Sequence, residues 1–150
     1  MRTWQDIALG EQFSTGELAI SEEQILDFAR EFDPQPYHLD AGAAASSIFG
    51  GLCASGWQAA ALMMRLLTDA LREQAVAVTG VSGVPALRWR QPVFAGDRLS
   101  AEFSVTGREE ASRLPGSGSL TLRVQVLNQD ARAVMNLDVR LMVARAEAAA

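Results

Sequence analysis

Apolar and polar residues alternate through the second half of the chain. Leu99, Ala101, Phe103 and Val105 are separated by Ser100, Glu102, Ser104 and Thr106. Leu120, Leu122, Val124 and Val126 alternate with Thr121, Arg123 and Gln125, and Met135, Leu137, Val139, Leu141 and Val143 with Asn136, Asp138 and Arg140. A period of two with one apolar face predicts half-buried antiparallel strands. Gly96-Asp97, Pro115-Gly116-Ser117-Gly118 and Asn128-Gln129-Asp130 supply the turns. Residues 86–91 read as a further strand ended by Pro92, and residues 13–20 as a weaker one.

In the first half the period is that of a helix. Ser21-Glu22-Glu23-Gln24 opens one: a serine cap, acids in the first turn and a glutamine that completes a capping box. Ile25, Phe28, Ala29 and Phe32 follow at helical spacing, and Pro34 and Pro36 stop the helix at Phe32. Residues 33–54 are loop-like, with short helical turns around Ala43–Ser46. From Gly56 a second helix carries Trp57, Ala60, Ala61, Met64, Leu67 and Leu71 on one side. Leu62, Met63 and Leu66 widen the stripe until nearly every face is apolar, which predicts deep burial. It frays near Arg72–Gln74. Such a helix needs a surface that covers most of its sides, and a curved antiparallel sheet of five or so strands can wrap it. With no internal repeat and no linker, residues 1–150 read as one α+β domain, with the tail Ala148-Ala149-Ala150 frayed.

Composition narrows the function. The 150 residues are 49% hydrophobic and 21% charged, enough to build a core and against disorder. No apolar run is long enough to span a membrane, and Met1–Asp6 lacks the pattern of a secretory signal. The single cysteine, Cys53, cannot form an internal disulfide, and this fits a reducing, cytoplasmic location. Net charge is −5, with the acids concentrated in residues 1–50, nine against Arg2 and Arg30. No basic stripe of the kind that grips nucleic acid is visible. All thirteen basic residues are arginine, which excludes Schiff-base chemistry and a Walker lysine. Gly80-Val81-Ser82-Gly83 lacks the spacing of a dinucleotide-binding loop. One histidine and one cysteine give too few soft ligands for a metal site.

One segment between the two helices carries candidate chemistry. It reads Phe32-Asp33-Pro34-Gln35-Pro36-Tyr37-His38-Leu39-Asp40 and contains the only histidine. A carboxylate and an imidazole stand five apart on a stretch stiffened by two prolines. Imidazole, with an unperturbed pKa of ~6.5, suits proton transfer near neutrality. Ordinary Asp-Pro turn chemistry accounts for the same residues. Downstream, Gly56 at a helix start presents a free backbone N–H backed by the helix dipole, a place to stabilise an enolate oxygen. A glycine that lets the helix pack closely on the sheet is the competing reading. Cys53 among small apolar residues reads as an inert buried thiol. Phe49 and Trp57 suit either an acyl pocket or the core, and Met63-Met64 either the core or a dimer contact. Arg88 and Arg90 suit either the phosphates of a ligand or a solvated strand face.

Asp33-x-x-x-x-His38-x-Asp40, then Phe49-Gly50, then Ser55-Gly56 at the head of the long helix, resembles the MaoC-like acyl dehydratases, which include the (R)-specific enoyl-CoA hydratases. Pro92-Val93-Phe94-Ala95-Gly96-Asp97 and the terminal strands match as well. The resemblance implies a hot-dog fold, a curved antiparallel sheet around one long helix. It implies a hydratase/dehydratase that adds water reversibly to an α,β-unsaturated acyl thioester of coenzyme A or a carrier protein. Asp33 and His38 would be catalytic and Gly56 would hold the thioester carbonyl. Gln35, Phe49, Gly50, Ser55 and Trp57 would bind substrate. Coenzyme A would enter only as part of the substrate, with no other cofactor, and the partner would be a second copy, as a homodimer or larger homo-oligomer. Three positions depart from the family pattern: Gln35 replaces an Asn, Ser55 replaces a His, and Ala61 stands where several hydratases have a supporting serine. An acyl-CoA thioesterase and a non-catalytic thioester-binding module on the same fold are the alternatives.

Overall fold

The computed structural model describes residues 1–110 and 113–147. After a single 3₁₀ turn at Trp4–Asp6, the chain runs β1 Gln12–Ser14, β2 Leu18–Ala19, α1 Glu22–Phe32, α2 Pro36–Leu39, α3 Ala41–Ala45 and α4 Gly56–Glu73. It ends in β3 Val78–Trp89, β4 Arg98–Glu109, β5 Ser117–Leu127 and β6 Ala133–Ala144. The strands form one antiparallel sheet in the order β1-β4-β5-β6-β3, with β2 also paired to β4. The alternation read from sequence is the pleat of β4, β5 and β6. Phe103, Val105, Leu120, Val124, Met135 and Leu141 are almost fully buried, while Glu102, Arg123, Gln125 and Arg140 face outward and are exposed.

The buried face of the sheet closes on α4 through Met63, Leu66, Leu67, Ala70 and Leu71. This is the hot-dog arrangement. Covering that stripe takes apolar surface from water at about 25 cal/mol per Å², the main favourable contribution to the fold. No helix among the described residues is long and apolar enough to cross a membrane.

The start of α1 forms as its residues dictate. Ser21 Oγ accepts from Gln24 N at 3.1 Å and Gln24 Oε1 accepts from Ser21 N at 2.9 Å. Four expectations change. The weak strand over 13–20 is two short strands, β1 and β2, with residues 15–17 between them. Residues 33–54 hold two short helices: Pro36 opens α2 at the first helical position, where a missing N–H costs nothing, and Asp40 Oδ1 caps α3 by accepting from Ala43 N at 2.7 Å. The edge strand β3 is twelve residues long, beginning eight residues before the expected start. Gly80, Gly83 and Pro85 hide it in the sequence, and they mark register shifts in its pairing with β6, which a strand bonded along one side tolerates. Finally, α4 is not buried all round. Trp57 is 62% exposed, Ala61 is also exposed, and Phe32 of α1 is 65% exposed. The sheet of one chain wraps only one side of the helix. The Ala148–Ala150 tail lies outside the described residues.

Candidate active site

Asp33 terminates α1, its N–H bonded to Ala29 O at 3.0 Å. The turn through Pro34 and Gln35 carries the chain into α2, where His38 is buried to 5% exposure. The five-residue spacing therefore joins a helix end to a helical turn. It brings His38 Nε2 to 3.4 Å from Asp33 Oδ2. The other ring nitrogen, Nδ1, lies 2.7 Å from the Cys53 carbonyl oxygen. A carbonyl can only accept, so Nδ1 carries a proton and Nε2 is the nitrogen turned toward Asp33.

The segment that supplies this carbonyl is held by the opposite wall. Ala54 N donates to Val93 O at 2.8 Å, and Cys53 bridges to Phe94. Pro92–Asp97 is itself shaped by Gly96, at φ +85°, and by the buried Asp97, whose carboxylate accepts from Phe94 N and from Gln129 Nε2, each at 2.9 Å. The Pro-Val-x-x-Gly-Asp stretch thus builds a turn that braces the site.

Ser55, fully buried, caps α4. Its Oγ accepts from Trp57 N at 3.3 Å and donates to Asp33 Oδ2 at 2.6 Å. Gln35 Nε2 donates to Asp33 Oδ1 at 2.9 Å, and the Tyr37 hydroxyl donates to Gln35 Oε1. Burial, the largest single influence, pushes the Asp33 carboxyl up. The hydrogen bonds from Ser55 and Gln35 and the charge of His38 together outweigh it, so Asp33 lies below the ordinary carboxylate value. Burial pushes the Cys53 thiol up, away from a reactive thiolate.

These groups border a cavity of about 330 Å³. Asp33, Gln35, His38, Phe49, Gly56 and Trp57 line it, so the sequence-derived candidates converge with two exceptions. Gly50 is not on the wall; it is exposed and occupies a turn at φ +70°. Ser55 is not on the wall either: it lies behind Asp33, where it cannot meet substrate directly. The Gly56 N–H, first in α4, has no acceptor among the described residues. Its Cα is crowded: a Cβ there would fall 2.5 Å from Trp89 Cε2, and Trp89 Nε1 donates to Gly56 O at 2.8 Å. The close-packing reading of this glycine and the free N–H therefore hold together.

Tyr37, Trp89 and Arg90 also line the cavity, though the sequence did not single out Tyr37 or Trp89. Tyr37 packs edge-on against His38, and Trp57 against Trp89, with ring centroids 4.5 and 5.0 Å apart. An aromatic at the end of an edge strand carries no periodic signal, and Tyr37 stood out only as the neighbour of His38. Of the two arginines singled out, Arg90 lines this cavity. Arg88 borders instead a wider trough of about 750 Å³ across the sheet, among Glu102, Arg123 and Asp138, away from Asp33 and His38.

Comparison with known proteins places the chain. Residues 6–126 match the MaoC like domain. A MaoC-like dehydratase from Rhodospirillum rubrum is 33% identical, with a TM-score of 0.82, over 99% of this chain and 100% of that one. An (R)-hydratase from A. caviae involved in PHA biosynthesis is 25% identical, with a TM-score of 0.69, over 91% of this chain and 97% of that one. The uncharacterized protein YdeM of Bacillus subtilis is 27% identical over 142 residues, 93% of this chain and 97% of its own. A mesaconyl-CoA hydratase of Cereibacter sphaeroides is 41% identical over 63 residues, 42% of this chain and 18% of that protein. With a matching domain over most of its length and the sheet, helix and Asp/His segment described above, the chain belongs to the MaoC-like domain family.

Proposed function

We propose that the protein is a hydratase/dehydratase that adds water reversibly across the double bond of an α,β-unsaturated acyl thioester of coenzyme A or a carrier protein. The observation that carries this reading is the 3.4 Å approach of His38 Nε2 to Asp33 Oδ2 on the wall of a cavity that also presents the Gly56 N–H. Both atoms are acceptors when the imidazole is neutral. A water bridging them from the cavity side donates one hydrogen to each and turns its oxygen lone pair toward the substrate. His38 takes a proton from this water as its oxygen bonds to the β-carbon. The electron pair of the double bond moves to the thioester oxygen, where Gly56 N–H and the start of α4 stabilise the enolate. Asp33 stays ionised and faces the imidazolium. His38 then returns the proton to the α-carbon, and the reverse sequence expels water. The similarity to a hydratase named for a CoA ester supports a thioester substrate.

The reading includes a homodimer working in the cytoplasm. The free edge of β3 exposes Val78, Val81 and Val84, and Trp57 and Ala61 of α4 are exposed as well. A second copy added along β3 would pair the unsatisfied backbone of that edge.

A panel of enoyl-CoA thioesters of increasing length tests the reaction class. Loss of enoyl absorbance without release of free thiol is the expected result. Thiol release reported by a thiol-reactive dye would instead make the protein a thioesterase. Saturable binding with neither signal would make it a non-catalytic thioester-binding module.

A further inference from the structure

We propose that Ser55 is a positioning residue for the reaction, fixing the Asp33 carboxylate against His38 through a hydroxyl shared with the start of α4. This rests on the hydratase reading and adds a residue to it. A hydroxyl has one proton to give. Here it goes to Asp33 Oδ2, while the oxygen takes the Trp57 N–H, so the rotor is fixed from both sides. The oxygen that Ser55 holds, Oδ2, is the one that faces His38 Nε2. The other, Oδ1, is held by Gln35. Two donors on two different oxygens fix both the plane and the position of the carboxylate.

The two supports differ in rigidity. Gln35 is exposed, on a long side chain. Ser55 is fully buried, and its 2.6 Å contact is in the range of a strong charge-assisted hydrogen bond. Ser55 also precedes Gly56, so one residue joins the proton-transfer pair to the N–H that would face the thioester oxygen. The resemblance placed a supporting serine at position 61. That position holds an exposed alanine, and the hydroxyl comes from the helix cap instead.

The competing account makes Ser55 a helix cap alone. Ser55→Gly and Ser55→Ala separate the two. Both remove the hydroxyl, but glycine is a much better cap than alanine, so the alanine variant is the less stable. The ionisable groups on the cavity wall around Asp33 are Tyr37, His38, Cys53 and Arg90, and of these only His38 is within ion-pair distance of it. Loss of the Ser55 donor therefore raises the Asp33 pKa.

The positioning role predicts that both variants titrate the Asp33 carboxyl carbon at higher pH by NMR of carboxyl-labelled protein without substrate. It also predicts that the acid limb of kcat/KM for enoyl-CoA hydration moves up by the same amount in both, and that kcat falls while KM holds. An Asp33 titration unchanged in Ser55→Gly overturns the proposal. So does an active-site loss that follows melting temperature, large in Ser55→Ala and absent in Ser55→Gly. A wild-type protein that hydrates none of the thioesters overturns the hydratase reading, and with it the catalytic part of this one, whatever the titration shows.

Discussion

The Cys53 carbonyl holds a proton on His38 Nδ1 and leaves Nε2 to face Asp33. Ser55 and Gln35, with the charge of His38, hold the Asp33 carboxyl below its ordinary value against the effect of burial. Because its folded pKa lies below the unfolded value, near 3.9, its ionised form favours the fold above that value. The advantage is lost as pH falls through the depressed folded pKa. Denaturation across an acid series should show a stability difference between wild type and Asp33→Asn that is constant near neutrality and shrinks in acid. A difference that grew in acid would contradict the assignment. Gly56 makes a sharper demand. In Gly56→Ala the new methyl meets the Trp89 indole at 2.5 Å, so the ring must leave its bond to Gly56 O. Trp89 is half exposed and has room to move, so the cost should fall near the low end of the 1–3 kcal/mol typical of overpacking. The displaced indole borders the cavity, and KM for the thioester should rise. Calorimetry and steady-state kinetics on the same preparation check both effects.

Elements with a local cause were legible in the sequence. The capping box set the start of α1, the two prolines its end, and the alternation of β4, β5 and β6 gave their inward faces residue by residue. The Asp33–His38 pair was legible too, because spacing along one short segment fixes both partners. The rest of the site depends on distant approaches. The Ser55 contact with Asp33 spans 22 positions, and the Trp89 contact with Gly56 spans 33. Neither leaves a periodic trace. The edge strand β3 was half hidden because an edge needs hydrogen bonds on one side only and so admits Gly80, Gly83 and Pro85. The long helix misled in another way: apolar residues all round suggested burial all round, while the sheet of one chain covers only Met63, Leu66, Leu67 and their neighbours. On that covered face Leu67 is fully buried. Leu67→Ala should cost 2–5 kcal/mol in urea denaturation, roughly the range for buried leucine. A cost under about 1 kcal/mol would mean that α4 is not the core the fold is wrapped around.

At the scale of the whole molecule, Trp57 and Ala61 of α4 and Val78, Val81 and Val84 on the outer edge of β3 are exposed. The proposed second copy would cover both, and sedimentation should give a dimeric mass for the wild type. A lysine at an exposed position of the edge disfavours strand pairing, so Val81→Lys should shift the mass toward the monomer. If the wild type sediments as a monomer at all concentrations, the dimer is wrong. On the hydratase reading, the fold and the cavity serve one act, the holding of a single water by a carboxylate and an imidazole. The most direct test follows the absorbance of a short enoyl-CoA with wild type, Asp33→Asn and His38→Ala, each first shown to be folded by circular dichroism. The expected result is hydration by the wild type and a fall of roughly 10²–10⁴-fold in each variant, the usual contribution of general acid–base groups. Hydration that survives both substitutions unchanged would contradict the account.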